Sequence, residues 1–412
     1  MAFTDERKEQ NLNFDTIVER TNTDSLKFDF AVRRGKPADV LPFWVADMDF
    51  KTSSFVIEAL EERARHGIFG YTDPREDYDA AVAGWLKKQH DLTIQPEWIL
   101  NTPGVVFALA AAVKAYTEEG DYVLLQQPVY YPMTEVIVDN GRKVVSNDLV
   151  QKDGRYEIDF VDFEKKIEEY RVKLFLLCSS HNPVGRVWTK EELKRLADIC
   201  LAHEVIIVSD EIHADFVYPG HKHISLLNVD ERLQDSSIVC TSSSKTFNLA
   251  AVQIADILVP NRELRHKLRK QIGAAGYSQV NAFGLVATKA AYLYGDEWYR
   301  AVTQYIYENL QFLKEFVKQH IPQVKVIEPE GTYLVWMDFR DLGLSTTELQ
   351  ELIVNKAKLW LDDGYIFGKQ GKGFQRINLA TSRSFLKEAL ERIERAIQTI
   401  KEKPRKGEYD HE

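Results

Sequence analysis

Cysteine is scarce in this chain of 412 residues: Cys178, Cys200 and Cys240 are the whole supply. They are too few and too scattered for a disulfide framework, and no C-x-x-C pair offers a zinc site, so no metal is expected. Long apolar runs are missing too. Nothing approaches the roughly 18 consecutive apolar residues of a membrane span. The opening MAFTDERKEQ is charged rather than apolar, which speaks against a secretory signal. Positive charge is in deficit: 53 Lys and Arg face 63 Asp and Glu, a formal net charge of −10. Nucleic-acid binding draws on clustered positive charge, so a polyanionic partner is disfavoured. The one basic cluster, KEKPRKGEYDHE at 401–412, is a mixed-charge tail expected to fray. The expectation is a soluble, cytoplasmic protein with no membrane or nucleic-acid partner.

What is present is enough apolar material for a large interior. With 44% hydrophobic residues, the chain exceeds the length that one hydrophobic core usually serves, and two domains are expected. The middle alternates two patterns. KLFLLCSS (173–180), EVIIVSDEIH (204–213) and SSIVCTSSSK (236–245) are short apolar runs that turn polar at their ends. Between the first two lies TKEELKRLADICLAH (189–203), with Thr189 and Glu192 at capping-box spacing and apolar residues at helical intervals. Continuous apolar strands separated by a helix imply right-handed crossovers in a parallel sheet covered on both faces. The core is read as α/β.

In open α/β sheets ligands bind outside the carboxyl ends of the strands. Asn182, Asp210 and Lys245 therefore converge on one crevice. The segment NTPGVVFALAAAVKAYTEEGD (101–121) offers Thr102 as a helix N-cap, Pro103 at the first helical position and Gly120 as the stop. The free amides of such a helix start favour an anion, and a phosphate suits them.

Lys245 follows four consecutive hydroxyl residues, Thr241 to Ser244. A phosphate-binding Walker loop also ends in Lys-Thr but needs glycines ahead of the lysine, and residues 237–244 contain none. A surface lysine on a serine-rich loop competes with a lysine that forms a Schiff base with an aldehyde cofactor. The second needs a partly desolvated amine and hydroxyls for a phosphate, a pairing that suits pyridoxal phosphate. Asp210 then reads as partner of the pyridinium nitrogen, or as a plain turn cap. Asn182 reads as a donor to the ring oxygen, or as the first residue of an Asn-Pro turn. His213 reads as a second group near that oxygen or a packed core residue, and Tyr130 as a stacking ring or ordinary packing.

Eight segments carry a resemblance: FWVADMDF, FGYT, TPGVVFAL, QPVYYP, SSHNPVGRVW, VSDEIHADFVY, SSSKTFNLA and RINLATSR. In this order, over about residues 10–400, they resemble the class I and II aminotransferase fold of pyridoxal phosphate enzymes, within it the cystathionine β-lyase branch of bacterial carbon–sulfur lyases. The resemblance implies fold type I, with a large domain (50–290) built on a mainly parallel seven-stranded sheet. A smaller α+β domain would come from 1–49 and 291–412. There TYLVWMDF (332–339) reads as a strand, and TTELQELIVNKAKLW and SFLKEALERIERAIQTIK read as helices.

By the same resemblance Lys245 holds the cofactor and moves the Cα proton, Asp210 pairs with the ring nitrogen, Asn182 contacts the ring oxygen, and Tyr130 stacks on the ring. Ser242, Ser244 and the backbone around Gly104, Val105 and Val106 bind the phosphate. Tyr71 is similar to a tyrosine lent by the second copy of a homodimer with shared active sites. Arg376 clamps the substrate carboxylate bidentately, Arg383 is structural, and Trp44, Val45, Ala46 and Asp47 shape the substrate pocket. The chain departs from typical aminotransferases at His213, where they carry tyrosine, and at Gln253, where they carry arginine. Ala251 replaces a glycine common in related sequences, and LATSR replaces the usual GCPR. The first two departures look like the lyase branch, which implies a small sulfur amino-acid substrate and β-elimination. Transamination of amino acids is the alternative, and a regulatory, partner-binding role is a third reading.

Overall fold

The computed structural model describes Glu9 and residues 12–401, so the charged opening segment, apart from Glu9, and the basic tail lie outside the described residues. Seven strands form the main sheet: β1 (Ile99–Thr102), β2 (Tyr122–Leu125), β3 (Lys143–Ser146), β4 (Leu174–Cys178), β5 (Ile206–Asp210), β6 (Ser237–Thr241) and β7 (Ala255–Leu258). Their spatial order is β1-β7-β6-β5-β4-β2-β3. Only β7 runs against its neighbours; all other pairings are parallel. The three runs singled out in the sequence are β4, β5 and β6, adjacent and parallel as expected. Every residue of β4 and β6 is buried, because both faces of the sheet carry helices.

The helices that matter to the site are α1 (Glu76–His90), α2 (Val105–Tyr116), α3 (Lys190–Ala202), the single turn α4 (Ser243–Thr246), α5 (Asp296–His320) and α6 (Arg383–Lys401). The capping box on α3 is present: the Glu192 amide donates to Thr189 Oγ1 (3.2 Å) and the Thr189 amide to Glu192 Oε2 (2.9 Å). Helix α2 starts two residues later than its sequence suggested. Gly104, not Thr102, is the cap residue, at φ 146° and ψ 163°, a conformation that favours glycine. Thr102 Oγ1 is used inside the turn, donating to the Gly104 carbonyl at 2.9 Å. The helix also stops at Tyr116, ahead of Gly120. Thr117 Oγ1 donates back to the Val113 carbonyl and the Arg142 guanidinium covers the Thr117 carbonyl, so the last turn is satisfied without a glycine.

A second sheet of four antiparallel strands contains β8 (Lys325–Val326), β9 (Leu334–Asp338), β10 (Asp362–Asp363) and β11 (Phe374–Asn378), in the order β8-β9-β11-β10. TYLVWMDF is the strand β9, and SFLKEALERIERAIQTIK lies within α6, both as read. TTELQELIVNKAKLW is not one helix. It is helical over Thr346–Gln350, widens into a π-helical turn over Glu351–Lys356, and ends as an extended pair, Leu359–Trp360, against Leu41–Pro42. Burial decides that ending: Trp360 stacks on Trp44 with centroids 4.2 Å apart, which a continued helix would forbid.

The segment Phe43–Phe50 bridges the two sheets. Asn378 of β11 donates to the Val45 and Asp47 carbonyls, and Asn248, just after α4, holds the Met48 amide and the Met48 and Phe50 carbonyls. Arg20 and Lys27 pair with Asp47 and Asp49 on its outer side.

One buried carboxyl in the sheet is poorly satisfied. Asp256 on β7 accepts from Tyr78 and Asn101 through Oδ1, at 2.8 Å each, while its buried Oδ2 has no partner. Burial raises its pKa to about 7 despite those two donors. A folded pKa above the unfolded value of about 3.9 means that the protonated form is favoured by folding; that stability is fully present below about pH 4 and lost as pH rises through 7. Asp256→Asn, which keeps the acceptor, should therefore raise the thermal midpoint at pH 8, by on the order of 2–4 kcal/mol of unfolding free energy, and leave it nearly unchanged at pH 4.5. Equal effects at both pH values would contradict this.

Candidate active site

The carboxyl ends of β4, β5 and β6 and the start of α2 enclose a cavity of about 280 Å³. Lys245 enters it from α4. Its ammonium is withdrawn from bulk water, which brings the pKa down to about 8; Arg376 pushes the same way, while Asp47 and Asp210 oppose. Lys245 Nζ donates to the Ala46 carbonyl at 2.7 Å, and the Tyr333 hydroxyl donates to the same oxygen at 3.1 Å. The lysine is therefore aimed at the cavity and the bridging segment, not at the surface.

Two anchors fix α4. Phe247 is fully buried among Trp85, Trp298, Tyr292 and Tyr299. Thr246 Oγ1 donates to Asp215, which also takes hydrogen bonds from Trp85 Nε1 (3.1 Å) and His90 Nε2 (2.7 Å). Burial alone would deprotonate His90 and protonate Asp215; their contact overrides both tendencies and favours the ion pair. Asp215 thus ties the lysine's turn to the loop after β5.

That loop carries Asp210 and His213. Asp210 ends β5, accepts the Ile212 amide at 3.1 Å, and has its pKa raised to about 6 by burial against the opposing pull of that amide and of Lys245. His213 is held neutral, its pKa driven well below the usual histidine range by burial and by the nearby Lys245 and Arg376 charges. Its Nδ1 is buried without a partner. Across the cavity stand Tyr130, whose burial keeps its phenol protonated, and Asn182. Gly104, Val105 and Val106 form the wall at the head of α2, where first-turn amides have no intrahelical acceptor. Ser244 lines the cavity, and Ser242 sits behind it. The Ser242 hydroxyl is 2.7 Å from both Ser244 Oγ and the Ile254 carbonyl, and caps the Ser244 amide.

Arg376 on β11 is 3% exposed and reaches toward Asn182, donating to its Oδ1 at 3.0 Å and to the Trp44 carbonyl at 2.8 Å. It also pairs with Asp362 of β10. Arg383 serves elsewhere: it bonds Asn309 of α5 and lies over the Phe312 ring, a structural arrangement in keeping with its reading. Several expected residues stand off the cavity wall: Arg376 connects to it through Asn182, Ser242 through Ser244, and Trp44, Val45, Asp47 and Tyr71 do not line it. The Asp47 carboxylate turns outward to Arg20 and Lys27, so only its backbone neighbour Ala46 faces the site. Tyr71 is 93% exposed, outside the cavity of its own chain.

Several contributors were not singled out from sequence. Cys178 and Phe107 line the cavity, Tyr333 and Asn378 fix the bridging segment, Asp215 holds the turn that carries Lys245, and Asp362 pairs with Arg376. Asp215 left one signal, a lone carboxylate in the mostly apolar ADFVY. Asp362 left none, because its pairing depends on sheet register.

This architecture places the chain in a known class. It belongs to the aminotransferase class I and II family, whose model matches residues 38–393. Among individual relatives, it is 42% identical over 386 residues to cystathionine beta-lyase PatB of Bacillus subtilis (strain 168), spanning 94% of this chain and 100% of PatB. Among solved structures, a PLP-bound putative aminotransferase from Clostridium difficile 630 superposes with a TM-score of 0.92 at 41% identity, covering 94% of this chain and 100% of that one. Cystalysin from Treponema denticola, whose crystals contain pyridoxal 5′-phosphate, gives 0.91 at 38% identity over 94% and 99%.

The depressed lysine pKa is directly measurable. In cofactor-free protein, competitive acetylation read by peptide mass should show Lys245 becoming reactive with a midpoint near pH 8. A midpoint near 10.5, the value of a solvated lysine, would contradict the burial described above.

Proposed function

We propose that this protein is a pyridoxal phosphate-dependent carbon–sulfur β-lyase that cleaves cystathionine and related S-substituted cysteines to a thiol, pyruvate and ammonia. The observation that carries the reading is Lys245, at a pKa of about 8, in one cavity with Asp210 and Asn182, the latter bonded in turn to Arg376. The donor set fits the cofactor: an amine able to lose its proton near neutrality, a buried carboxylate for a ring nitrogen, and free amides beside Ser244 for a phosphate. When bound, pyridoxal phosphate supplies the electron sink that stabilises negative charge at the substrate Cα, so that a thiolate can leave from Cβ.

The chain's own groups supply the rest. Lys245 would hold the cofactor and, as a free amine of depressed pKa, would take the substrate Cα proton. Asp210 holds a proton on the ring nitrogen; its burial strengthens that contact once a cation sits opposite it. Asn182 commits Oδ1 to Arg376, leaving its Nδ2 for the ring oxygen. His213, neutral and with Nδ1 free, offers a further polar edge there. Tyr130 covers the ring face. Gly104, Val105, Val106, Ser244 and, through it, Ser242 hold the phosphate. Arg376 takes the substrate carboxylate, while Ala46, and Asp47 behind it, bound the pocket. The relatives named for β-lyase activity and Gln253 on the cavity wall favour elimination over transamination.

The protein acts as a homodimer with shared sites in this reading. Ile68, Phe69 and Tyr71 are three large exposed side chains within four residues, a patch that a second copy would cover. Tyr71 would then reach the partner's phosphate.

With cystathionine and bound cofactor, thiol and pyruvate should appear in equal amounts, and Lys245→Ala should lower the rate by roughly 10²–10⁴-fold. Pyruvate without thiol, or turnover only with a 2-oxo acid acceptor, would remove the lyase reading. Light scattering should report a dimer, with Tyr71→Phe weakening cofactor retention; a fully active monomer would refute the shared site.

A further inference from the structure

The contact between Arg376 and Asp362 extends the reading of the substrate site, and it rests on Arg376 receiving the substrate carboxylate. The two residues face each other directly across the antiparallel pair β10–β11. Asp362 is buried, and its carboxylate bonds Nη2 of the guanidinium. A guanidinium has five N–H donors. Nη2 gives both of its hydrogens to fixed acceptors, Asp362 Oδ2 and the Trp44 carbonyl, and Nη1 gives one to Asn182. Nε is buried and has no partner. One Nη1 hydrogen and the Nε hydrogen therefore remain, and the nitrogen with no donor left is the one that Asp362 holds.

We propose that Asp362 is a positioning residue for substrate recognition: by saturating Nη2 together with the Trp44 carbonyl it fixes the plane of Arg376, so that an incoming α-carboxylate is met by a single open donor, the remaining Nη1 hydrogen or Nε–H, and not by the two-donor fork that Nη2 would complete. The surroundings make the arrangement rigid. Asp363, the next residue of β10, accepts from Gln375 Nε2 at 2.8 Å and from Gln350 Nε2 at 2.8 Å, which locks the strand in register. Gly364 then passes so close to Gly371 that a Cβ on either would sit about 2 Å from the other's carbonyl oxygen (2.0 and 1.9 Å). The guanidinium also lies 4.9 Å over the Phe367 ring, a face contact that restrains the same plane. Asp362 need not touch substrate; it acts through Arg376.

The test compares two probes on the cofactor-loaded enzyme, followed by the change in cofactor absorbance: L-alanine, which carries an α-carboxylate and no leaving group, and ethylamine, which lacks the carboxylate. Asp362→Ala should weaken L-alanine by about tenfold or more, the equivalent of one hydrogen bond to a charged group, and leave ethylamine unchanged. Asp362→Asn keeps an acceptor and should fall between wild type and alanine, so a poorly folding alanine variant does not remove the test. Equal weakening of both probes would mean a general structural role and overturn the proposal. Unchanged or tighter L-alanine binding would overturn it as well, the latter making Asp362 a competitor for the arginine. Arg376→Ala separates the two levels of the argument: if it leaves the preference for L-alanine over ethylamine intact, the carboxylate reading of Arg376 itself fails.

Discussion

The structure depends on keeping one ammonium group partly dry. A lysine in water is almost wholly protonated at neutral pH and is a poor nucleophile; Lys245 is brought to a pKa of about 8 because α4 delivers it into a cavity walled by the ends of three buried strands. Such a charge cannot be left without compensation. The protein answers with the Ala46 carbonyl at 2.7 Å and with the nearby carboxylates of Asp47 and Asp210. Burial moves both groups toward their neutral forms, Lys245 down to about 8 and Asp210 up to about 6, so the two titrate closer together than the free side chains do.

Around that centre the polar groups form two supports. On the sheet side, Asp215 joins α1, the loop after β5 and α4 through His90, Trp85 and Thr246. On the other side, Asn378, Asn248 and Tyr333 hold the bridging segment 43–50 over the cavity, and Asp362 and Asn182 hold Arg376. The first support joins Asp215 and Thr246, close in sequence to Asp210 and Lys245, to the distant helix α1. The second assembles residues more than a hundred positions apart, and it places substrate recognition where the two sheets meet.

That division explains what the sequence made legible. Strands β4, β5 and β6 announce themselves by apolar runs with polar ends, so Asn182, Asp210 and Lys245 could be placed together by the strand-end rule alone. Arg376 was accessible only through family resemblance, since nothing in RINLATSR says which sheet it joins. Asp362 was silent because a cross-strand partner is set by register, which periodicity does not encode. Helix ends were misjudged where side chains far along the chain closed them: Arg142 ends α2, and the Trp44–Trp360 stack ends the helical run after Thr346. The outward turn of Asp47 follows from Arg20 and Lys27, which lie well before it in the chain.

The central claim is a covalent attachment at one nitrogen. Purified protein incubated with pyridoxal phosphate, reduced with borohydride and digested, should yield a single phosphopyridoxyl-bearing peptide, modified at Lys245. A label spread over surface lysines, or none on the peptide containing SSSKTFNLA, would contradict the account.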